Sequence, residues 1–344
     1  MSHLWCLCVT SVIKTNTLFI YCLVAYSLQQ IFSKSRTRTG NEGLFCVKIS
    51  YTKIAYLCAL KIIKPTKMTK PLILVTNDDG LFAPGIKALI EVVQKIGTPI
   101  IVAPDSPQSG KGHAISIHEP LRLNKVTTFG EDIEAYECSG TPVDCVKLAR
   151  NVVLKGRVPD LCVSGINHGS NVAINILYSG TMSAAMEASL EGINSIGFSL
   201  LDFSFDADFG PSKPFVKKLI EYSLQNGFGE SKLLNVNIPN LPLAAIKGFK
   251  VCRQANAGWK EDFLENKDPL DRPYYWMSGE FVNNDTGADT DVKALEAGYI
   301  SVVPCQHDLT AYKAMKTLKS LEATSVNIKT QETGDAKENV FNPY

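Results

Sequence analysis

Two adjacent aspartates, Asp78 and Asp79, come directly after an apolar run in the stretch LILVTNDDG, residues 72–80. Like charges crowded in a partly buried place are costly, and protonation or a cation relieves that cost. One divalent metal cation of the magnesium, manganese or calcium kind is the simplest neutraliser, because such ions prefer oxygen donors. The same residues also suit a plain turn, since Asn, Asp and Gly favour turns. Two other stretches carry matching chemistry. APDSPQSGKGHAIS (103–116) is small, polar and glycine-rich, with Ser106, Ser109, Lys111 and His113. Such a loop can turn backbone N–H groups toward an anion. Its spacing is not that of a Walker A loop, and a surface Ω-loop explains it equally well. VSGINHGSNVAINILYSGTMSAAMEA (163–188) places Asn167 and Asn171 ahead of Ser179, Gly180 and Thr181. Asparagine oxygens are neutral hard ligands. A Ser-Gly-Thr sequence opening a helix offers free N–H groups and hydroxyls to a phosphate, or simply caps the helix.

The elements that must position these residues alternate short β-rich runs with helical stretches from Met68 onward, the pattern of a βαβ sheet. PLILVTN, PIIVAP (99–104), DLCVSGI (160–166), SIGFSLL (195–201) and LLNVNIP (233–239) read as strands. Near-continuous Val/Ile/Leu runs fit strands covered on both faces. Residues 84–96, 142–154, 180–192 and 213–225 read as helices; Ile86, Leu89, Ile90 and Val93 fall on one face of the first. AISIHEPLRLNKV (114–126) alternates and suggests a β excursion, while GFKVCRQ, RPYYWMSGEFV and GYISVVP suggest late antiparallel β additions that serve as oligomer arms. All three polar loops come after parallel strands, and ligand sites form beyond the carboxyl ends of such strands. Oxygen ligands, an anion cradle and a hydroxyl-rich rim together point to metal-assisted chemistry on a phosphate.

The chain has 344 residues, 45% of them hydrophobic, enough for one large domain or two. Residues 1–67 hold nine Lys/Arg against one acid, Glu42, whereas the remainder holds 26 basic and 33 acidic residues. A mildly acidic body without basic clustering excludes a broad nucleic-acid surface, so no nucleic-acid polymer is expected as a partner. Of ten cysteines, five precede Met68; the others, Cys138, Cys145, Cys162, Cys252 and Cys305, lack the spacing of a zinc site and read as reduced thiols of a cytoplasmic protein. The apolar run LFIYCLVAY (18–26) is about half the ~20 residues that span a bilayer. It resembles the core of a signal peptide but lacks a small-x-small cleavage site. Residues 1–67 are therefore read as a leader, disordered or preceding the natural start at Met68; a membrane anchor is the rival reading. No membrane is expected for 68–344, and the polar tail 326–344 is expected to fray.

The stretches ILVTNDDG, APGI, VAPDSPQSG, SGTPVDCV, PDLCVSGINHGSN and YSGTMSAAMEA, in order from Leu72 to Leu200, resemble the SurE family, the stationary-phase survival phosphatases that act as 5′-nucleotidases. A fainter likeness runs through TDVKALEAGYISVVP (290–304), and residues 1–67 have no counterpart. The resemblance implies an α/β fold with a Rossmann-like three-layer core, a mostly parallel sheet and C-terminal antiparallel β extensions. It makes 68–325 the phosphatase domain and 248–304 an oligomerisation extension of a homodimer or homotetramer. It implies metal ligation by Asp78, Asp79, Ser109 and Asn167. The implied activity is hydrolysis of nucleoside 5′-monophosphates, with 3′-monophosphates and short polyphosphate as further substrates.

On this reading the cation polarises the phosphate and activates water, while Asn171, Ser179, Gly180 and Thr181 hold the remaining phosphate oxygens. Covalent aspartyl routes usually separate two aspartates by one residue, so adjacent Asp78 and Asp79 favour attack by water. His113 beside the serine loop is either a proton donor to the leaving alkoxide or a loop brace. His168 is read as solvated, and Thr141, Pro142 and Asp144 as a helix start. A non-catalytic nucleotide-binding module is the alternative in another class.

Overall fold

Leu72–Thr76 alternates its buried side chains between two covered faces, and this five-residue run forms strand β1. Helix α1 (Pro84–Val93) comes next, opened by a proline in its first turn, where the missing N–H costs nothing. Strand β2 (Thr98–Pro104) runs parallel to β1. The short β3 (Leu123–Val126) and β4 (Glu134–Cys138) succeed it, then α2 (Pro142–Leu148) continued by a π-turn, β5 (Leu161–His168), α3 (Gly180–Leu190), β6 (Ser195–Leu200), α4 (Lys213–Asn226) and β7 (Leu233–Ile238). The C-terminal part adds β8 (Phe249–Val251), a long hairpin of β9 (Ala257–Lys267) and β10 (Pro273–Asn283), α5 (Asp291–Glu296), β11 (Ile300–Cys305) and α6 (Tyr312–Leu318). The computed structural model describes residues 70–204 and 206–324. The leader expected over 1–67 and the tail over 326–344 lie outside the described residues.

The main sheet has nine strands in the order β3-β4-β2-β1-β5-β6-β7-β11-β8. Its centre, from β4 through β7, is wholly parallel. Ile73 and Val75 of β1 face α1 and α4, packing with Ile86, Leu89, Val216 and Ile220. Leu74 faces the other side, where Val146 and Ala149 near α2 and Ala184 and Ala188 of α3 close the second core. The fold is thus a three-layer α/β sandwich, and each fully buried Leu or Ile contributes about 1.5–3 kcal/mol to it. The winding runs outward from β1 through β2 to β4, then restarts on the opposite flank with β5. That reversal opens a crevice beyond the carboxyl ends of β1 and β5, where ligands bind in doubly wound sheets.

Three expectations are corrected. Of the β excursion over 114–126, only Leu123–Val126 forms a strand, antiparallel to β4; Ile115 and Ile117 are exposed and have no core to face. GFKV pairs parallel, not antiparallel, as β8 beside β11. Of the three segments read as late additions, only RPYYWMSGEFV belongs to a separate antiparallel arm, β9–β10; β11 instead joins the main sheet antiparallel to β7.

Candidate active site at the carboxyl edge of the sheet

Beyond β1 the chain turns sharply, the Asn77 side chain donating to the Gly80 carbonyl at 2.8 Å. Asp78 is only 4% exposed, and Thr181 donates its hydroxyl to Asp78 Oδ1. The N-terminus of α3 can approach this closely because residue 180 is glycine: a Cβ there would sit 2.6 Å from Asp78 Cβ. The partial positive charge of that helix end faces the carboxylate. Burial, reinforced by the neighbouring Asp79 charge, nevertheless pushes the Asp78 carboxyl up to about 6. Both Asn77 Oδ1 and Thr76 Oγ1 are buried without a hydrogen-bond partner among the described residues.

Asp79 is partly exposed and meets the end of β5. His168 lies with Nδ1 3.2 Å and its backbone N 3.4 Å from Asp79 Oδ2. His168 is therefore not the solvated side chain expected: it is 17% exposed, packs edge-on against Phe209 at 5.0 Å between ring centroids, and buries Nε2 without a partner among the described residues. The register of β5 against β6 shifts between Ser164 and Asn167, a bulge that re-aims the end of the strand. Asn167 donates its amide to the carbonyls of His168 (3.0 Å) and Gly169 (2.7 Å), which leaves its side-chain oxygen for another partner.

The serine loop crosses this crevice. The Gln108 N–H donates to the Asp78 carbonyl at 2.8 Å and the Gly112 N–H to the Tyr178 carbonyl at 3.2 Å. These bonds bring exposed Ser109 beside the NDDG turn. His113, the residue expected beside the serine loop, pairs with a carboxylate of α3. Its Nε2 lies 3.0 Å from Glu187 Oε2, while Lys147 donates to Oε1 of the same buried carboxylate at 2.5 Å. The His113 hydrogen bond, followed by Lys147, holds the Glu187 carboxyl below its ordinary range. Glu187 lies two turns along α3 from Gly180, about 10 Å at 1.5 Å per residue, so His113 braces the loop away from the aspartates. Thr141, Pro142 and Asp144 open α2 as expected, and Thr141 and Asp144 go further by forming a capping box. They also anchor the loop, for Thr141 donates to the Ala114 carbonyl and Asp144 accepts from the Ser116 N–H.

The four residues expected at the phosphate divide in two. Gly180 and Ser179 sit at the start of α3, where the Ser179 hydroxyl accepts from the Met182 N–H at 3.0 Å. The Thr181 hydroxyl is spent on Asp78, and Asn171 turns into the sheet. The Asn171 amide donates to Ser199 at 2.8 Å, its N–H donates to Asn237 Oδ1 at 2.7 Å, and its carbonyl accepts from Asn235 at 2.8 Å. This buried ladder fixes the loop without presenting the amide to the crevice.

A second anchor lies farther out. Asp291, wholly buried at the start of α5, accepts from the Ala173 N–H at 2.9 Å and the Ala255 N–H at 3.0 Å. Trp259 of β9 donates to Asn175 Oδ1 at 2.8 Å. The base of the arm is thereby tied to the loop between Asn171 and Ser179.

The donor set suits a hard cation: two carboxylates, one of them buried and reluctant to ionise alone, an asparagine oxygen, and a serine hydroxyl nearby. A family model described as survival protein SurE matches residues 73–261. The 5′-nucleotidase SurE of Flavobacterium psychrophilum is 58% identical over 253 residues, covering 74% of this chain and 98% of that protein. The 5′-nucleotidase SurE of Christiangramia forsetii is 59% identical over 252 residues, covering 73% of this chain and 96% of that protein. The crystal structure of the SurE protein from Aquifex aeolicus aligns with a TM-score of 0.65 at 42% identity, covering 73% of this chain and all of that one. On this family match and these relatives, the chain belongs to the SurE family.

Proposed function

We propose that this chain is a divalent-metal-dependent 5′-nucleotidase that hydrolyses nucleoside monophosphates to nucleoside and phosphate. The observation that carries the reading is Asp78, a buried carboxylate held beside Asp79 and against the N-terminus of α3 at the β1/β5 crevice. Its raised pKa shows that burial and the neighbouring Asp79 charge disfavour the carboxylate form, which a bound cation would favour. Asp78, Asp79 and Asn167, with Ser109 from the crossing loop, would hold the cation. A bound divalent ion would neutralise phosphate charge and acidify a water. The start of α3, through Gly180 and the Ser179 hydroxyl, receives phosphate oxygens. His168 orients Asp79 through its 3.2 Å contact, and Asn171 and Thr181 hold the loop and Asp78 in place. Water attacks phosphorus, the bond to the 5′ oxygen breaks, and a proton from solvent completes the nucleoside alcohol.

The same crevice would accept 3′-monophosphates and short polyphosphate, because the phosphate-facing groups are indifferent to what the ester carries. The five described cysteines are free thiols, which supports a reducing, cytoplasmic setting. Among the described residues no helix is long and apolar enough to cross a membrane. Exposed Phe263, Leu264, Tyr275, Trp276 and Met277 on the arm support a homodimer or homotetramer. We assign catalysis to the body that begins at Met68 and assembly to its arm.

The test is the purified full chain against 5′- and 3′-monophosphates and polyphosphate, with magnesium, manganese or calcium in turn and after chelation. Asp78→Asn should abolish metal-dependent release of phosphate while circular dichroism stays unchanged. Retained activity would overturn the assignment.

A further inference from the structure

Among the described residues of the loop after β6, two phenylalanine rings, Phe203 and Phe209, lie at the end of β5. Phe209 is buried, in edge contact with His168 and part of the core. Phe203 differs. A Cβ built on Gly169 would lie 2.1 Å from Phe203 Cε1 and 2.5 Å from Cδ1, so one ring edge rests directly on that glycine. Gly169 has φ +87°, a conformation that favours glycine, and the absence of a side chain there is what seats the ring. Despite that seat, Phe203 is 74% exposed.

The backbone that carries the ring is fixed. The Gly169 N–H donates to the Asp202 carbonyl and the Leu201 N–H to the Ile238 carbonyl, both at 2.8 Å. The Asp202 carboxylate accepts from the Ser204 N–H and from the Asn240 amide, each at 2.9 Å. A phenyl ring thus stands on backbone held by hydrogen bonds at Leu201, Asp202 and Ser204, with an open face that the core does not need. Its seat is two residues beyond Asn167, a span of at most about 7 Å. A ribose bridges a comparable gap between a 5′-phosphate and its base.

We propose that Phe203 is the stacking platform for the nucleobase of the substrate. The proposal rests on the nucleotidase reading and deepens it by naming what recognises the nucleoside. Every base offers a π face, so a platform of this kind selects for a base without selecting strongly among bases. Purines, with the larger ring, overlap it more than pyrimidines do.

The experiment compares full-length wild type, Phe203→Ala and Phe203→Trp on adenosine 5′-monophosphate and on ribose 5-phosphate, which carries no base. Phe203→Ala should raise KM for the nucleotide by roughly 5- to 150-fold, the range that corresponds to lost base–aromatic stacking. It should leave kcat and the KM for ribose 5-phosphate unchanged, and Phe203→Trp should restore nucleotide KM. An unchanged nucleotide KM overturns the proposal. An equal rise for both esters also overturns it, because the ring would then serve only to prop Gly169 and Asn167. A change in molar mass by light scattering, with both KM values intact, assigns the ring to a subunit contact and likewise overturns it. If wild type hydrolyses neither ester, the nucleotidase reading fails by itself. Equilibrium dialysis of adenosine against wild type and Phe203→Ala then still decides the platform, with loss of binding supporting it and equal binding refuting it.

Discussion

Gly180 shows how much of this site depends on what a residue lacks. The helix start and the Asp78 side chain meet where any Cβ would stand 2.6 Å from Asp78 Cβ. Neither partner can yield easily, since one is backbone-borne and the other is at the root of a buried side chain. Gly180→Ala should therefore displace Asp78 from the Thr181 hydroxyl and cut phosphate release by at least about 100-fold, as ångström-scale misplacements do. Steady-state kinetics beside a melting curve checks this; wild-type rates with an intact fold would contradict it. Asp78, Asp79 and Asn167 stood out in the sequence as hard oxygen donors placed after strands, whereas Ser109 entered the proposed ligand set only through the family resemblance. His168 was not legible, because its use is decided by Asp79, 89 residues earlier in the chain. Asn171 was misleading for a similar reason: its amide is claimed by Ser199 and its loop by two sheet asparagines, none of them nearby in sequence.

Helix α3 does three jobs along its length, and Glu187 is the one that ties it to its surroundings. Its carboxylate joins the serine loop through His113 and α2 through Lys147. Because its pKa lies below the ordinary 4.5 in the folded protein, the unfolded chain binds the proton more readily than the native state does. The stabilisation is thus present above about pH 5 and disappears as pH falls through 4.5 and below. Glu187→Gln should cost roughly 1–3 kcal/mol at pH 7 in urea melts, the range for a disrupted buried hydrogen-bonded group. The gap to wild type should narrow as pH falls below 4.5; a gap constant with pH would show that packing, not charge, is at stake. At this scale the central strands and helices could be read directly, since both sheet faces are covered and apolar runs are continuous. The segment 114–122 could not, because its alternation places Ile115 and Ile117 in solvent rather than on a core. Strand β4 could not be read from its own residues because Glu134–Cys138 is short and mixed in polarity, and its pairing with β2 and β3 makes it a strand.

Across the whole molecule, the crevice arises from winding order, which no local pattern encodes. Strand types were readable; that β5 would land beside β1 rather than beside β4 was not, because register and order are settled by long-range packing. The same applies to the C-terminal part, where β8 and β11 return to the main sheet and only β9–β10 projects. On that arm Trp276 is 65% and Met277 71% exposed, an apolar surface with no partner within the described residues. Replacing both with Asp should reduce the molar mass measured by light scattering to that of one chain while leaving the isolated fold intact. An unchanged oligomer, or a wild type already monomeric, would refute the arm's assignment.

Asp291 links that outer surface to the chemistry, since one buried carboxylate grips both Ala173 and Ala255. Were a second copy to clasp the arm, the arm would lose freedom to swing, and the shared grip would pass that stiffness inward to the segment leading into Ser179. Dilution would then be felt as slower turnover before any chain unfolds, making protein concentration itself an input to catalysis.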